Sequence, residues 1–127
     1  MTPKVPDYLH EANRDTVTIC QIESTMALDN LEAIASTPGV DVLFIGHFDL
    51  TQSMGIVGEF ENPRFVEALR RVAEIAKRHG KVAGIQPPSA AKAKVFMAMG
   101  YNMISCAHDI AVYSSALTGL VEDVRKV

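Results

Sequence analysis

Four times along the chain a short apolar run with strand character gives way to a segment with helical periodicity, and this alternation constrains the fold more than any other feature. The runs are Val17 to Ile22, Val42 to Ile45, Lys81 to Gln86 and Asn102 to Ala107. The first is rich in β-branched residues, and all four are short enough for strands. After the first run, Ser24 or Thr25 can cap a helix whose apolar positions Leu28, Leu31, Ile34 and Ala35 recur at three and four residues before Pro38-Gly39 stops it. After the second come a short helical turn from Asp49, a glycine-containing loop and Asn62-Pro63, a cap followed by proline at the first helical position. The helix that follows carries the stripe Phe65, Leu69, Val72, Ala76, with Gly80 suited to the left-handed residue that ends it. Ser89 opens a helix to Met99 with Gly100 as its stop. His108-Asp109 opens the last helix, on which Ile110, Tyr113, Leu117, Leu120, Val121 and Val124 share a face. A further helical piece, Asp7 to Asn13, precedes the first strand. Strands that are apolar on both faces and alternate with helices predict an α/β fold, a parallel sheet covered by helices.

The chain is 127 residues long and 48% hydrophobic, one ordinary domain with enough apolar material for a core. Twelve basic and fifteen acidic residues, a net charge of -3, are spread without a run of one sign, so no nucleic acid and no membrane partner is expected. The start, Met1 to Asp7, lacks the apolar h-region of a secretory signal, and a soluble, cytoplasmic protein is the expectation. Cys20 and Cys106 lie in strand-like runs and belong to no C-x-x-C pair, which predicts reduced, buried thiols.

In parallel α/β folds the residues just beyond the carboxyl ends of the strands gather on one face, where ligands bind. Glu23 ends the first strand and Asp49 follows the second. On neighbouring strands, roughly 4.8 Å apart, both could reach one ion. A hard cation such as Mg2+ takes one or two carboxylates among about six oxygen ligands at about 2.1 Å. A second reading stands beside this one: Asp49 with Gln52 has the D-x-x-Q form of a capping box, and a glutamate at a strand end can be an exposed rim residue.

Gln21-Ile22-Glu23 followed by a helix, Pro38-Gly39-Val40-Asp41, Ile45-Gly46-x-x-Asp49-Leu50 and Ser53-x-Gly55 form an ordered series. With Gly80-Lys81-x-x-Gly84-Ile85 and the Gly100 to Ser105 segment, it resembles the HpcH/HpaI aldolase family over essentially the whole chain. That family belongs with the phosphoenolpyruvate/pyruvate TIM barrels and the citrate lyase β-like proteins. The resemblance implies a class II, metal-dependent lyase that makes or breaks a carbon–carbon bond beside pyruvate or a related 2-oxo acid. It implies Glu23 and Asp49 as metal ligands for Mg2+, Mn2+ or Co2+, Gln21 beside metal and substrate, and the backbone N–H groups of Phe48 and Asp49 as donors to the substrate carboxylate.

A complete (β/α)8 barrel has eight such units over about 250 residues, and four are visible here. The resemblance therefore implies the C-terminal half of a TIM barrel, residues 1–127 being one partial domain. The family's catalytic histidine and arginine fall in the earlier half, so no residue of this chain inherits those roles. Half a barrel has open edge strands and uncovered barrel-facing side chains, which predicts a homo-oligomer or pairing with a complementary half barrel. The expected function is an aldolase active where the missing elements are supplied. Competing expectations are a non-catalytic subunit or scaffold that keeps the fold and the metal pair, and a flavodoxin-like binder whose carboxylates only cap. His47 stands where the family usually has proline, and His108 ends the fourth strand; a transition-metal site of His47, His108, Glu23 and Asp49 is a further alternative. His79 suits the C-terminus of its helix.

Overall fold

The computed structural model describes residues 5–127; the opening tetrapeptide, part of the segment read above for a leader, lies outside them. The elements are α1 (Val5–Asp15), β1 (Ile19–Ile22), α2 (Thr25–Asp29), α3 (Leu31–Ser36), β2 (Val42–Ile45), α4 (His47–Ser53), α5 (Pro63–Arg78), β3 (Val82–Ile85), α6 (Ala90–Met99), β4 (Met103–Ile104) and α7 (Asp109–Arg125). The four strands form one parallel sheet in the order β1-β2-β3-β4. Cys20 lies opposite Leu43 and Leu43 opposite Ala83; Gln21 lies opposite Phe44 and Phe44 opposite Gly84.

Because side chains alternate along a strand, this register sorts the sheet into two faces. One carries Ile22, Leu43, Ile45, Ala83 and Ile85, all buried under helices. Leu31, Ala35, Val72 and Ala76 close over that face with no exposed surface. Each such aliphatic side chain larger than alanine contributes about 1.5–3 kcal/mol on burial. The opposite face carries Ile19, Gln21, Phe44 and Gly84. Val42 and Gly84 on this face are buried, Phe44 is half-buried, and Ile19 on the edge strand keeps 48% of its surface exposed.

The helix signals act as the sequence indicates. Asn62 Oδ1 accepts from Arg64 N at 3.0 Å with Pro63 at the start of α5, and Gly80 has φ +65° after its end. Ser89 Oγ accepts from Lys92 N at 3.2 Å, and α6 stops at Gly100 with φ +106°.

Five expectations are corrected. The opening helix runs Val5–Asp15, longer than Asp7 to Asn13, and buries none of its residues. The first strand is shorter, since Thr16 still donates to Ala12 O and Asp41 accepts from Thr18 N. The helix after it is two helices that meet at Asn30, whose side chain donates to Met26 O at 2.8 Å and competes with continuation of the turn. The fourth strand has two residues instead of six: it has one neighbour, β3, and after Ser105 N donates to Ile85 O no further ladder bond forms. Cys106 is exposed, and Cys20 is half-buried against the core; both are free thiols. The stripe on α7 is present but covers nothing among the described residues, with Ile110, Tyr113, Leu120 and Val124 each more than 60% exposed.

Candidate active site

β1 and β2 are neighbours and parallel, so Glu23 and the start of α4 lie at the same end of the sheet. Gly46, which links β2 to α4, bonds back to β1 through Gly46 N to Ile22 O at 3.1 Å. Its missing side chain is what lets the site form. A Cβ at position 46 would stand 2.7 Å from Gln21 Nε2, 2.8 Å from Glu23 Cβ and 2.9 Å from Glu23 Oε2. Gln21 and Glu23, two residues apart on one face of the strand line, therefore lie against the backbone of Gly46. Gln21 Nε2 donates to Glu23 Oε2 at 2.7 Å, which fixes one carboxylate oxygen and leaves the other free.

Asp49 occupies the first turn of α4, whose cap is Gly46, and not the cap position itself. No side chain caps this helix, so the D-x-x-Q capping box does not form. The exposed Asp49 carboxylate makes no hydrogen bond within the described residues. The N–H groups of His47, Phe48 and Asp49 precede the first intrahelical bond, Leu50 N to Gly46 O at 2.9 Å, and have no acceptor in the helix.

Thr51, which sequence reasoning did not single out, holds this turn in place. It is fully buried; its Oγ1 lies 2.9 Å from both His47 O and Phe48 O and accepts from Gly58 N at 3.1 Å. Ser53 Oγ accepts from Thr25 N at 3.0 Å and ties α4 to α2. A threonine beside Leu50 in a short helix carries no sequence signal that would have found its contacts.

His47 is half-buried. Its ring packs edge-on to Phe60 with centroids 5.6 Å apart, and its Nδ1 is buried without a partner. Burial lowers its pKa, opposed in part by the Ile45 backbone. His108 caps α7 by position only, without a side-chain bond. Among the described residues no three of His, Cys, Asp and Glu stand close enough to hold an ion together, so the four-residue transition-metal site does not form. Two carboxylates remain at this end of the sheet, Glu23 with Gln21 bonded to it and Asp49 in the first turn of α4. Carboxylate oxygens of this kind suit a hard divalent cation that keeps water or substrate oxygens in its other positions.

With this geometry in place, comparison with known proteins is informative. Residues 1–116 match the profile of the HpcH/HpaI aldolase/citrate lyase family. The 5-keto-4-deoxy-D-glucarate aldolase of Enterobacter sp. (strain 638) is 36% identical over 122 residues, covering 96% of this chain and 48% of the relative. The Klebsiella pneumoniae enzyme of the same name matches over the same extent. Among solved structures, an HpcH/HpaI aldolase from Desulfitobacterium hafniense superposes with a TM-score of 0.86 at 26% identity, over 100% of this chain and 49% of that one. An HpcH/HpaI aldolase/citrate lyase family protein from Burkholderia cenocepacia gives 0.84 at 36% identity, over 94% and 46%. The chain thus spans about half the length of its relatives, and its four β/α units are half of a TIM-type barrel. By profile, sequence and fold, this chain belongs to the HpcH/HpaI aldolase/citrate lyase family.

Proposed function

We propose that residues 1–127 are the second half of a divalent-metal aldolase that cleaves 4-hydroxy-2-oxo acids to release pyruvate or a related 2-oxo acid. The observation that carries this reading is the seating of Gln21 and Glu23 against Gly46, at the strand end from which the turn bearing Asp49 begins. Glu23 and Asp49 are the proposed ligands of the cation, Mg2+, Mn2+ or Co2+. A cation bound there supplies Lewis acidity to the keto oxygen of the substrate, where negative charge grows as the carbon–carbon bond breaks.

The chain's own residues would do three things. The Gln21 amide holds one oxygen of Glu23, so that the carboxylate is oriented before the ion arrives. The N–H groups of Phe48 and Asp49, without acceptors in the first turn of α4, donate to the substrate carboxylate and fix its approach. Thr51, by holding the carbonyls of that turn, keeps those donors aimed. Proton transfer and stabilisation by a cationic side chain are left to elements outside this chain: among the described residues, every arginine lies on α1, α5 or α7 and none follows a strand.

The open edges β1 and β4 and the exposed Ile19 on β1 support a partner, either a second copy or a complementary half barrel. Two free cysteines fit a reducing, cytoplasmic setting. The lack of an arginine near the carboxylates also favours a second reading, a subunit that binds the ion without turnover. To separate them, pyruvate release from a 4-hydroxy-2-oxo acid is measured for the chain alone and mixed with the first half of a relative, with Mn2+ and with EDTA. Metal-dependent release in the mixture supports the lyase. Mn2+ that raises the melting temperature while no mixture releases pyruvate supports the second reading. Glu23→Ala and Asp49→Ala that leave Mn2+ affinity unchanged reject both.

A further inference from the structure

On the helix-covered face of the sheet, opposite to Gln21, a cleft of about 550 Å³ opens between α5 and α6. Its size is that of small-molecule sites, roughly 300–1,000 Å³. None of Gln21, Glu23 and Asp49 lines it; it meets the proposed site only at the turn of His47 and Phe48, and its occupant is argued from the side chains alone. The floor is the buried trio Phe65, Leu69 and Ile85, and the walls include Phe60, Phe96 and Met99.

The wall is unusually aromatic on one side. Phe60 stands edge-on to Phe48 at 5.0 Å and 88°, and edge-on to His47 at 88°. Phe48 nevertheless keeps 66% of its surface exposed although it lines the cleft. Phe48, perpendicular to Phe60 and tilted by 31° to His47, leaves an exposed ring that can take a further ring by stacking or edge contact, worth about 0.5–1.5 kcal/mol beyond the area buried.

The rim sets the charge of the occupant. Lys92 on α6 is paired with Glu61 from the loop before α5, and Gln86 adds an amide at the end of β3. An anionic ligand would face Glu61, and a cationic one would face Lys92. A neutral group that both donates and accepts can use both members of the pair and the amide without displacing either. We propose that this cleft binds an uncharged aromatic molecule carrying one hydroxyl or carboxamide, its ring between Phe48 and the apolar floor and its polar end at Glu61, Lys92 and Gln86.

The test is a titration of the isotope-labelled 127-residue chain, followed by amide chemical shifts. The probes are 4-methylphenol and benzamide, with toluene, 4-methylbenzoate and benzylamine as controls. Saturable shifts at Phe48, Phe60, Gln86 and Val95 are expected for the two neutral polar probes, with each control about tenfold weaker. Val95→Trp fills the cleft from the exposed side of α6 and is expected to weaken 4-methylphenol about tenfold or more. Lys92→Met gives a second reading if that variant unfolds: with Glu61 left alone, benzylamine should overtake 4-methylphenol. No saturation, shifts centred elsewhere, benzoate as strong as phenol, or an order of probes unchanged in Lys92→Met would overturn the proposal.

Discussion

Gln21 Nε2 and Glu23 Oε2 are 2.7 Å apart, and both lie closer to Gly46 than a side chain on that residue would allow. The φ of Gly46 is −91°, which any residue adopts, so the glycine is required by space and not by backbone conformation. Gly46→Ala is therefore expected to displace the Gln21–Glu23 pair while costing the fold only about 1–3 kcal/mol of overpacking. Mn2+ affinity, measured by calorimetry, should fall about tenfold or more. Unchanged affinity in a folded Gly46→Ala chain would mean that the ion, if bound, does not use Glu23 as placed.

How much of this was readable beforehand depends on what each residue answers to. The start and stop of α5 and α6 follow from local signals that act locally: Asn62-Pro63, Gly80, Ser89 and Gly100 each meet their own helix. Asp49 was ambiguous because the same spacing serves a cap or an ion ligand, and only the start of α4 at His47 removes the capping role. The cradle at Gly46 could not be read, since it depends on β1 lying beside β2 in one register. Strand four and Cys106 were misread for the opposite reason: their apolar pattern is suited to neighbours on both sides, and the sheet here ends at β4.

Phe44 and Gly84 are register partners on the face that carries Gln21, and a Cβ at position 84 would come to 2.5 Å from Phe44 Cδ2 and 3.2 Å from Val42 Cγ1. Gly84→Ala should lower stability by about 1–3 kcal/mol by forcing the phenyl ring aside. The cost should largely vanish when Phe44→Ala is already present, a coupling of about 0.5–3 kcal/mol in a double-mutant cycle from urea unfolding. Additive effects of the two changes would show that the ring moves freely and that this close approach carries no energy.

Tyr101, 2% exposed, donates its hydroxyl to Leu69 O at 2.9 Å and so anchors the end of α6 to α5. Burial raises its pKa far above the ordinary tyrosine value. The folded state thus holds the phenol neutral where an unfolded chain would ionise it. Its contribution is complete below the unfolded pKa of about 10 and is lost as pH rises above it. Tyr101→Phe should cost about 0.5–1.5 kcal/mol at neutral pH by removing the bond. The same variant should lose less stability than the parent between pH about 9 and 11, because Tyr8 and Tyr113 are exposed. Parallel stability curves for the two proteins over that range would contradict the assignment.

The last expectation concerns what covers α7 and the sheet edges. Ile110, Tyr113, Leu120 and Val124 are 62–71% exposed on one helix, and β1 and β4 each present an unpaired edge. Full burial of each large apolar side chain is worth about 1.5–3 kcal/mol, enough for several together to drive association. The folded chain is therefore expected to sediment as a dimer or larger species, and Leu120→Glu with Val124→Glu should shift it toward monomer without loss of helical circular dichroism. Mixing with the first half of a relative should likewise replace self-association by a one-to-one complex if the half barrels complement each other. A folded monomer that stays monomeric in both settings would show that the exposed faces need no partner, and the case for a completed barrel would then rest on length alone.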